Sequence, residues 1–209
     1  MAENKPVVLI GYGRHAVSVI STLRSSGLEI VGYTDVKPTV KNPFNLAYLG
    51  NDQDYLDKPN THADHFCTIG ENAVREKLQV EYARIGLTFT SIIHPTAFIE
   101  KTAKIGNGVF IGAMVYINGL TEISDGVIIN NHVNIDHDCV IGNFAHLAPG
   151  ACLTGNVSVG PRSFLGCGCR VIPETSIDSD AIIGAGSVVI RDVKSGQKVY
   201  GNPAKPAER

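Results

Sequence analysis

The stretch Ile129-NNHVN-Ile135-DHDCV-Ile141-GNFAH-Leu147 sets an aliphatic residue at every sixth position. The same register runs without an insertion from Ile93 to Val189, seventeen hexads that close by Lys194. Four places after each anchor stands a compact residue, among them Ala103, Thr121, Cys139, Ala151, Ser163 and Cys169. Glycine often follows the anchor, as at Gly106, Gly112, Gly142 and Gly166. A period of six fits neither a helix nor a long alternating strand, so the repeat itself is the structural unit. One short strand and one corner per hexad would fill the interior with anchors. Three hexads then close a triangular coil, and stacked coils bury one another's backbone. The pattern predicts nearly six coils, a prism roughly 25–30 Å tall at the ~4.8 Å spacing of paired strands.

About ninety residues precede the repeat. Lys5–Ile10 reads as a buried strand, followed by Gly11-Tyr12-Gly13-Arg14-His15-Ala16 and an amphipathic helix that Gly27 ends. Leu28–Tyr33 supplies a second strand closed by Asp35, and Leu49–Asp52 opens a short helix. Ala63–Ile69 reads as a third strand, and Glu71–Ile85 as a helix offering Glu71, Arg75, Glu76, Lys77 and Arg84 to solvent. Leu87–Ile93 returns as a strand into the first coil. Alternating strands and helices predict a small Rossmann-like α/β domain with a parallel sheet over 1–91. The solenoid spans 92–194 and a tail 195–209. Glycines after the first strand allow a tight turn and aim a helix N-terminus at an anion. Asp35, about twenty residues on, stands where a dinucleotide fold places an acid on a ribose. Ninety residues are too few for two mononucleotide halves, so one nucleotide is the expected ligand.

Composition narrows the class. An apolar fraction of 44% is ordinary for a globular chain, and a net charge of −2 gives no reason to expect nucleic acid or an anionic membrane as partner. No apolar run reaches membrane-spanning length, and the first residues lack a signal-peptide cleavage site. Five cysteines without framework spacing point to a reducing cytoplasm. Cys167-x-Cys169 is not expected to bind metal, since alternate strand residues face opposite ways.

Several segments together resemble the bacterial family of nucleotide-4-amino-sugar N-acetyltransferases and sialic acid O-acetyltransferases, a branch of the hexapeptide-repeat acyltransferases. They are the glycine turn 11–16, Val31-Gly32-Tyr33-Thr34-Asp35, Leu49-Gly50, Ile69-Gly70-Glu71-Asn72 with Arg75, Ile93-His94-Pro95, Asp136–Gly142, Leu153–Asn156 and Gly201-Asn202-Pro203-Ala204-Lys205. The resemblance covers nearly the whole chain and implies a left-handed parallel β-helix, although parallel crossovers in general favour the right hand. It also implies acetyl-CoA as donor, no metal, and a homotrimer with CoA lying between subunits. Gly11, Gly13, His15 and Asp35 inherit nucleotide-sugar contacts. Arg14 and Val36 depart from the usual family residues, and Arg14 is expected to add a phosphate contact.

The resemblance places the general base at His137, and acetyl transfer to an amine needs such a group. An imidazole accepts a proton near neutral pH, and a neighbouring carboxylate fixes its tautomer. Family precedent favours Asp138 for that carboxylate, while the sequence leaves Asp136 equally able. Gly155 matches the family's backbone donor to the oxyanion. His146 is implied at the acyl-donor site, with a structural use as the alternative; His132 has no implied role. Gly184 and Ala185 are expected to floor the CoA site, with Gly201, Pro203, Ala204 and Lys205 covering its adenine end and Arg191 or Lys205 meeting its phosphates. No acyl carrier is evident, so direct attack is expected.

Three other readings compete. O-acetylation of a sialic acid would use the same residues on a hydroxyl. A zinc hydratase resembling the left-handed β-helix carbonic anhydrases would use His132-x4-His137 as ligands, although such enzymes lack the front domain. A non-catalytic nucleotide-sugar scaffold would leave His137 and its flanking acids without a purpose.

Overall fold

The computed structural model describes residues 5–207; the outermost residues of the first domain and of the tail, 1–4 and 208–209, lie outside the described residues. The front domain holds strands β1 (Val7–Ile10), β2 (Ile30–Thr34) and β3 (Asp64–Cys67) and helices α1 (Ala16–Ser25), α2 (Asp52–Asp57) and α3 (Asn72–Arg84). The sheet is parallel, in the order β2-β1-β3. Asn51 caps α2 through Asp54 N–H, and Glu71 caps α3 through Val74 N–H at 2.8 Å, which is why both helices start there. The expected fourth strand over 87–93 is not continuous. Phe89 forms a lone bridge to His65, and Ile92–Ile93 is already the first strand of the solenoid.

From Ile92 onward the chain is a left-handed parallel β-helix of about six turns. Each hexad gives a two-residue strand, and strands eighteen residues apart pair, as Ile128 with His146 and Asn134 with Cys152. Three flat faces result. Face 1 carries Ile92, Phe110, Ile128, His146, Phe164 and Ile182; face 2 carries Phe98, Tyr116, Asn134 and Cys152; face 3 carries Lys104, Glu122, Val140 and Ser158. Anchors from Ile111 to Val189 and compact residues from Val109 to Val193 form one buried core. The first anchor departs: Ile93 is 39% exposed, because no coil lies beneath it.

The corners have a rule of their own. From Gly108 to Gly186 every sixth residue, three places after the anchor, is left-handed, with φ between 58° and 72°. Non-glycine residues occupy nine of these sites, among them His132, Asp138, Phe144 and Arg162. Cys167 and Cys169 flank one such corner at Gly168, so it is the corner and not strand alternation that leaves Cys167 exposed and Cys169 buried. All five cysteines are free.

The front domain packs on the lower coils of face 1. Ile92, Phe110 and Ile128 join Val7, Ala16, Val19, Ile20 and Phe66 in a shared apolar cluster. Arg75, expected at the solvent face of α3, is instead 0% exposed between the two domains. No helix among the described residues is long and apolar enough to cross a membrane.

Candidate active site

His137 stands at the corner between faces 2 and 3, on a coil whose strands are Asn134–Ile135 and Val140–Ile141. Its Nδ1 lies 2.8 Å from Asp138 Oδ2. A carboxylate only accepts, so the proton sits on Nδ1 and the Nε2 lone pair is free. Asp136 has a different task. Its Oδ1 accepts from His137 N–H and from Asn118 Nδ2, both at 2.8 Å, which holds its carboxyl below the usual carboxylate range. The alternatives left open by sequence are thereby separated. Asp138 orients the ring; Asp136 holds the backbone beneath it. Asn118 was missed in the sequence, yet it stands eighteen residues before Asp136, one coil below.

The Asp138 hydrogen bond, then the nearby charge of Asp136, push the His137 pKa above the ordinary imidazole value. The ring is open, with 57% of its side chain exposed. One coil above, Gly155 lies flat over it: an added Cβ would sit 2.7 Å from Cε1 and 2.9 Å from Nε2. Among the described residues the Gly155 N–H meets no acceptor.

The same corner climbs through Pro173 to Arg191, three coils above His137. Arg191 lines a cavity of about 280 Å³ with Asp192, Pro203, Ala204 and Lys205. The tail reaches it by doubling back. Lys198–Tyr200 extends face 1 above Ile182–Ile183, Lys205–Pro206 pairs antiparallel to it, and Ala204 N–H donates to Val188 O at 2.8 Å. Gly201 makes the bend with φ 98° and donates to Ser187 Oγ. The expected floor does not lie on the corner that carries His137. Tyr200 covers Gly184, where any Cβ would strike its ring, and Ala185 belongs to the corner between faces 1 and 2.

In the front domain Gly11 has φ 86° and a Cβ there would collide with Ile69. Gly13 and Arg14 are exposed, and His15 precedes α1. Asp35 closes the turn by accepting from Tyr12 N–H at 2.8 Å and Val36 N–H at 2.7 Å. Only part of its carboxylate is left for a ligand. His146 is not beside its own chain's His137. It sits on face 1 under the front domain, Nδ1 3.3 Å from Gly70 O and its ring against Phe164 and His15. Burial, then the charges of His146 and Arg75, push His15 down to about 3; burial, then the charge of Arg75, pushes His146 down to about 4. His132 projects from the corner between faces 1 and 2, so one chain does not bring it and His137 to a common ion. Among the described residues no three His, Cys, Asp or Glu side chains converge.

Residues 6–82 match the family model described as the PglD N-terminal domain. The chain is 31% identical over 147 residues to GDP-perosamine N-acetyltransferase of Escherichia coli O157:H7, across 68% of this chain and 66% of that one. It is 38% identical to PerB of Caulobacter crescentus, solved with CoA and GDP-perosamine, with a TM-score of 0.92 over 97% of both chains. The acetyltransferase domain of PglB from Neisseria gonorrhoeae, solved with acetyl coenzyme A, is 30% identical, with a TM-score of 0.92 over 98% of this chain and 100% of that one.

Proposed function

Because the chain belongs to the nucleotide-amino-sugar N-acetyltransferase family, we propose that it moves the acetyl group of acetyl-CoA to the 4-amino group of a nucleotide-linked 4-amino-4,6-dideoxy sugar, for a bacterial surface glycan. The observation that carries this reading is the Asp138–His137 pair beneath Gly155, with Nδ1 on the carboxylate and the ring exposed. The uncharged amine attacks the thioester carbonyl carbon, and the carbonyl π electrons move to oxygen. Nε2 of His137 accepts the amine proton, while the Gly155 N–H meets the oxyanion. Collapse re-forms C=O, breaks C–S, and the imidazolium returns its proton to the departing CoA sulfur. Asp138 keeps the ring in the tautomer this needs.

The donor arm is placed along the corner from Arg191 to His137, three coils or roughly 14 Å at ~4.8 Å per coil. Arg191 and Lys205 would meet its phosphates at the tail cavity. The acceptor nucleotide is placed at Gly11, Gly13, Arg14, His15 and Asp35. These residues belong to the domain on face 1, whereas His137 occupies the corner opposite that face. A prism stands between them within one chain. The acceptor held by one protomer therefore reaches the His137 of another, as a homotrimer allows, and His146 and Ala185 would serve a neighbour's site.

A panel of GDP-, UDP-, dTDP- and CMP-linked amino sugars with acetyl-CoA, read by thiol release, tests this. GDP-perosamine goes first, because it is bound in the Caulobacter crescentus relative. Transfer to a sialic acid hydroxyl and to no amine would select O-acetylation. Turnover with neither would leave only a binding role.

A further inference from the structure

Along the corner from face 3 to face 1 the solenoid turns a column of backbone carbonyls outward. Gly126, Phe144 and Arg162 stand one coil apart there, each left-handed at φ 66°, 58° and 58°. None of the three carbonyls receives a backbone N–H among the described residues. Two side chains of α3, one turn apart, reach all of them. Arg75 Nε donates to Gly126 O at 2.8 Å and its Nη2 to Phe144 O at 2.7 Å. Asn72 Nδ2 donates to Arg162 O at 2.7 Å.

The other Arg75 donors close on the front domain: Nη1 on Ile69 O at 3.1 Å and Gly70 O at 3.2 Å, Nη2 on Asn72 Oδ1 at 2.9 Å. Five N–H groups thus meet five acceptors. That full satisfaction explains how a guanidinium at 0% exposure persists with no carboxylate in contact among the described residues. Its partners are not chosen at random. Ile69 packs against Gly11 in the glycine turn, and Gly70 lies against His15 and receives His146. One side chain therefore joins the two residues that back the turn assigned to the acceptor to two coils of the solenoid.

We propose that Arg75 is a positioning residue for acetyl transfer: with Asn72 it fixes the height of the glycine turn along the prism, and so the reach of the bound amine toward a neighbouring protomer's His137. The inference rests on the function proposed above. A slip of one coil would displace the amine by ~4.8 Å, whereas reacting atoms must approach to about 3–3.5 Å. Sequence places no catalytic chemistry on α3, so activity carried by this helix would have to act through position.

The test compares wild type with R75K, which keeps the charge but supplies three donors instead of five, and with N72A, which keeps Arg75. For each, kcat, both KM values, and direct binding of the free nucleotide and of CoA are measured on the intact oligomer. The expected result is kcat lowered at least about tenfold in R75K, less in N72A, with nucleotide and CoA affinities within about twofold of wild type. Wild-type kcat in both variants overturns the proposal. So does parallel loss of kcat, both affinities and thermal midpoint, which would mark the clamp as merely structural. A wild type that acetylates none of the sugars instead sinks the functional reading, in the same assay and before any variant is compared.

Discussion

Asp138 holds the imidazole of His137 from the very next position in the chain, and does so with a left-handed backbone at φ 58°. The solenoid imposes that conformation on every corner from Gly108 to Gly186. Here it brings a carboxylate beside the preceding ring, 2.8 Å from Nδ1, without any distant element. The geometry distinguishes two acids that are adjacent in sequence. H137A should lower kcat at least ~10²-fold with CoA binding unchanged. D138N should lower it by about the same order, by freeing the ring to turn and change tautomer. D136N should cost less, since Asn118 and the His137 N–H need only one oxygen acceptor. Equal rates for D138N and wild type in the thiol-release assay would remove Asp138 from this role.

The contact between Gly155 and His137 gives a prediction of a different kind. Gly155 does not need glycine for its backbone angle; it needs glycine for the missing Cβ, which would press on the ring at 2.7 Å. G155A should therefore fold with nearly wild-type stability, within about 1 kcal/mol. Its kcat should drop on the order of tenfold to a hundredfold, because the ring is displaced and the oxyanion donor crowded. A crystal structure of G155A with the imidazole unmoved, together with full activity, would refute it.

The pH dependence follows from the same pair. Asp138, then Asp136, raise the His137 pKa above that of an ordinary imidazole, so acid inactivates the base earlier than it would a free histidine. The acid limb of kcat should lie above ~6.5. Removing either charge, in D138N or D136N, should move that limb to lower pH. A limb that stays fixed in both variants would assign it to the substrate amine or to another group.

The solenoid was legible because its period is long, unbroken and carried by side chains that must be inside. Its corners were not, since nine of the left-handed positions hold residues such as Phe144, Arg162 and Asp138 that carry no local signature for that conformation. His137 and Gly155, singled out in the sequence through the family motif, lie against each other on one corner. The choice between Asp136 and Asp138 was not legible there, as it depends on which side of one corner each carboxylate falls. Arg75 was misread for a related reason. A charged residue on a helix is ordinarily solvated, and only the docking of α3 on another unit's carbonyl column reverses that. His146 occupies an outward position of the repeat, but outward on face 1 means underneath the front domain.

The interface between the domains should be acid-labile. His15 and His146 are held down to about 3 and about 4 in the folded protein, against an ordinary value near 6.5. Buried Nε2 atoms of both rings lack partners, and Arg75 adds a positive charge beside them. Below pH ~6.5 the unfolded chain binds protons that the folded one refuses, so stability falls as pH drops toward 4. His65, buried behind Tyr55 and also lowered, acts in the same direction within the front domain. His137 acts oppositely, but its exposure makes its share small. Two protons give a slope of up to about 2.7 kcal/mol per pH unit, which carboxylate titration does not obscure between pH 6.5 and 5. H15N and H146N should each remove one proton's share of that slope, up to about 1.4 kcal/mol per pH unit, as measured by urea unfolding. A wild-type stability that stays level across this window would show that the two rings are protonated in place, and that solvent reaches them beneath the front domain.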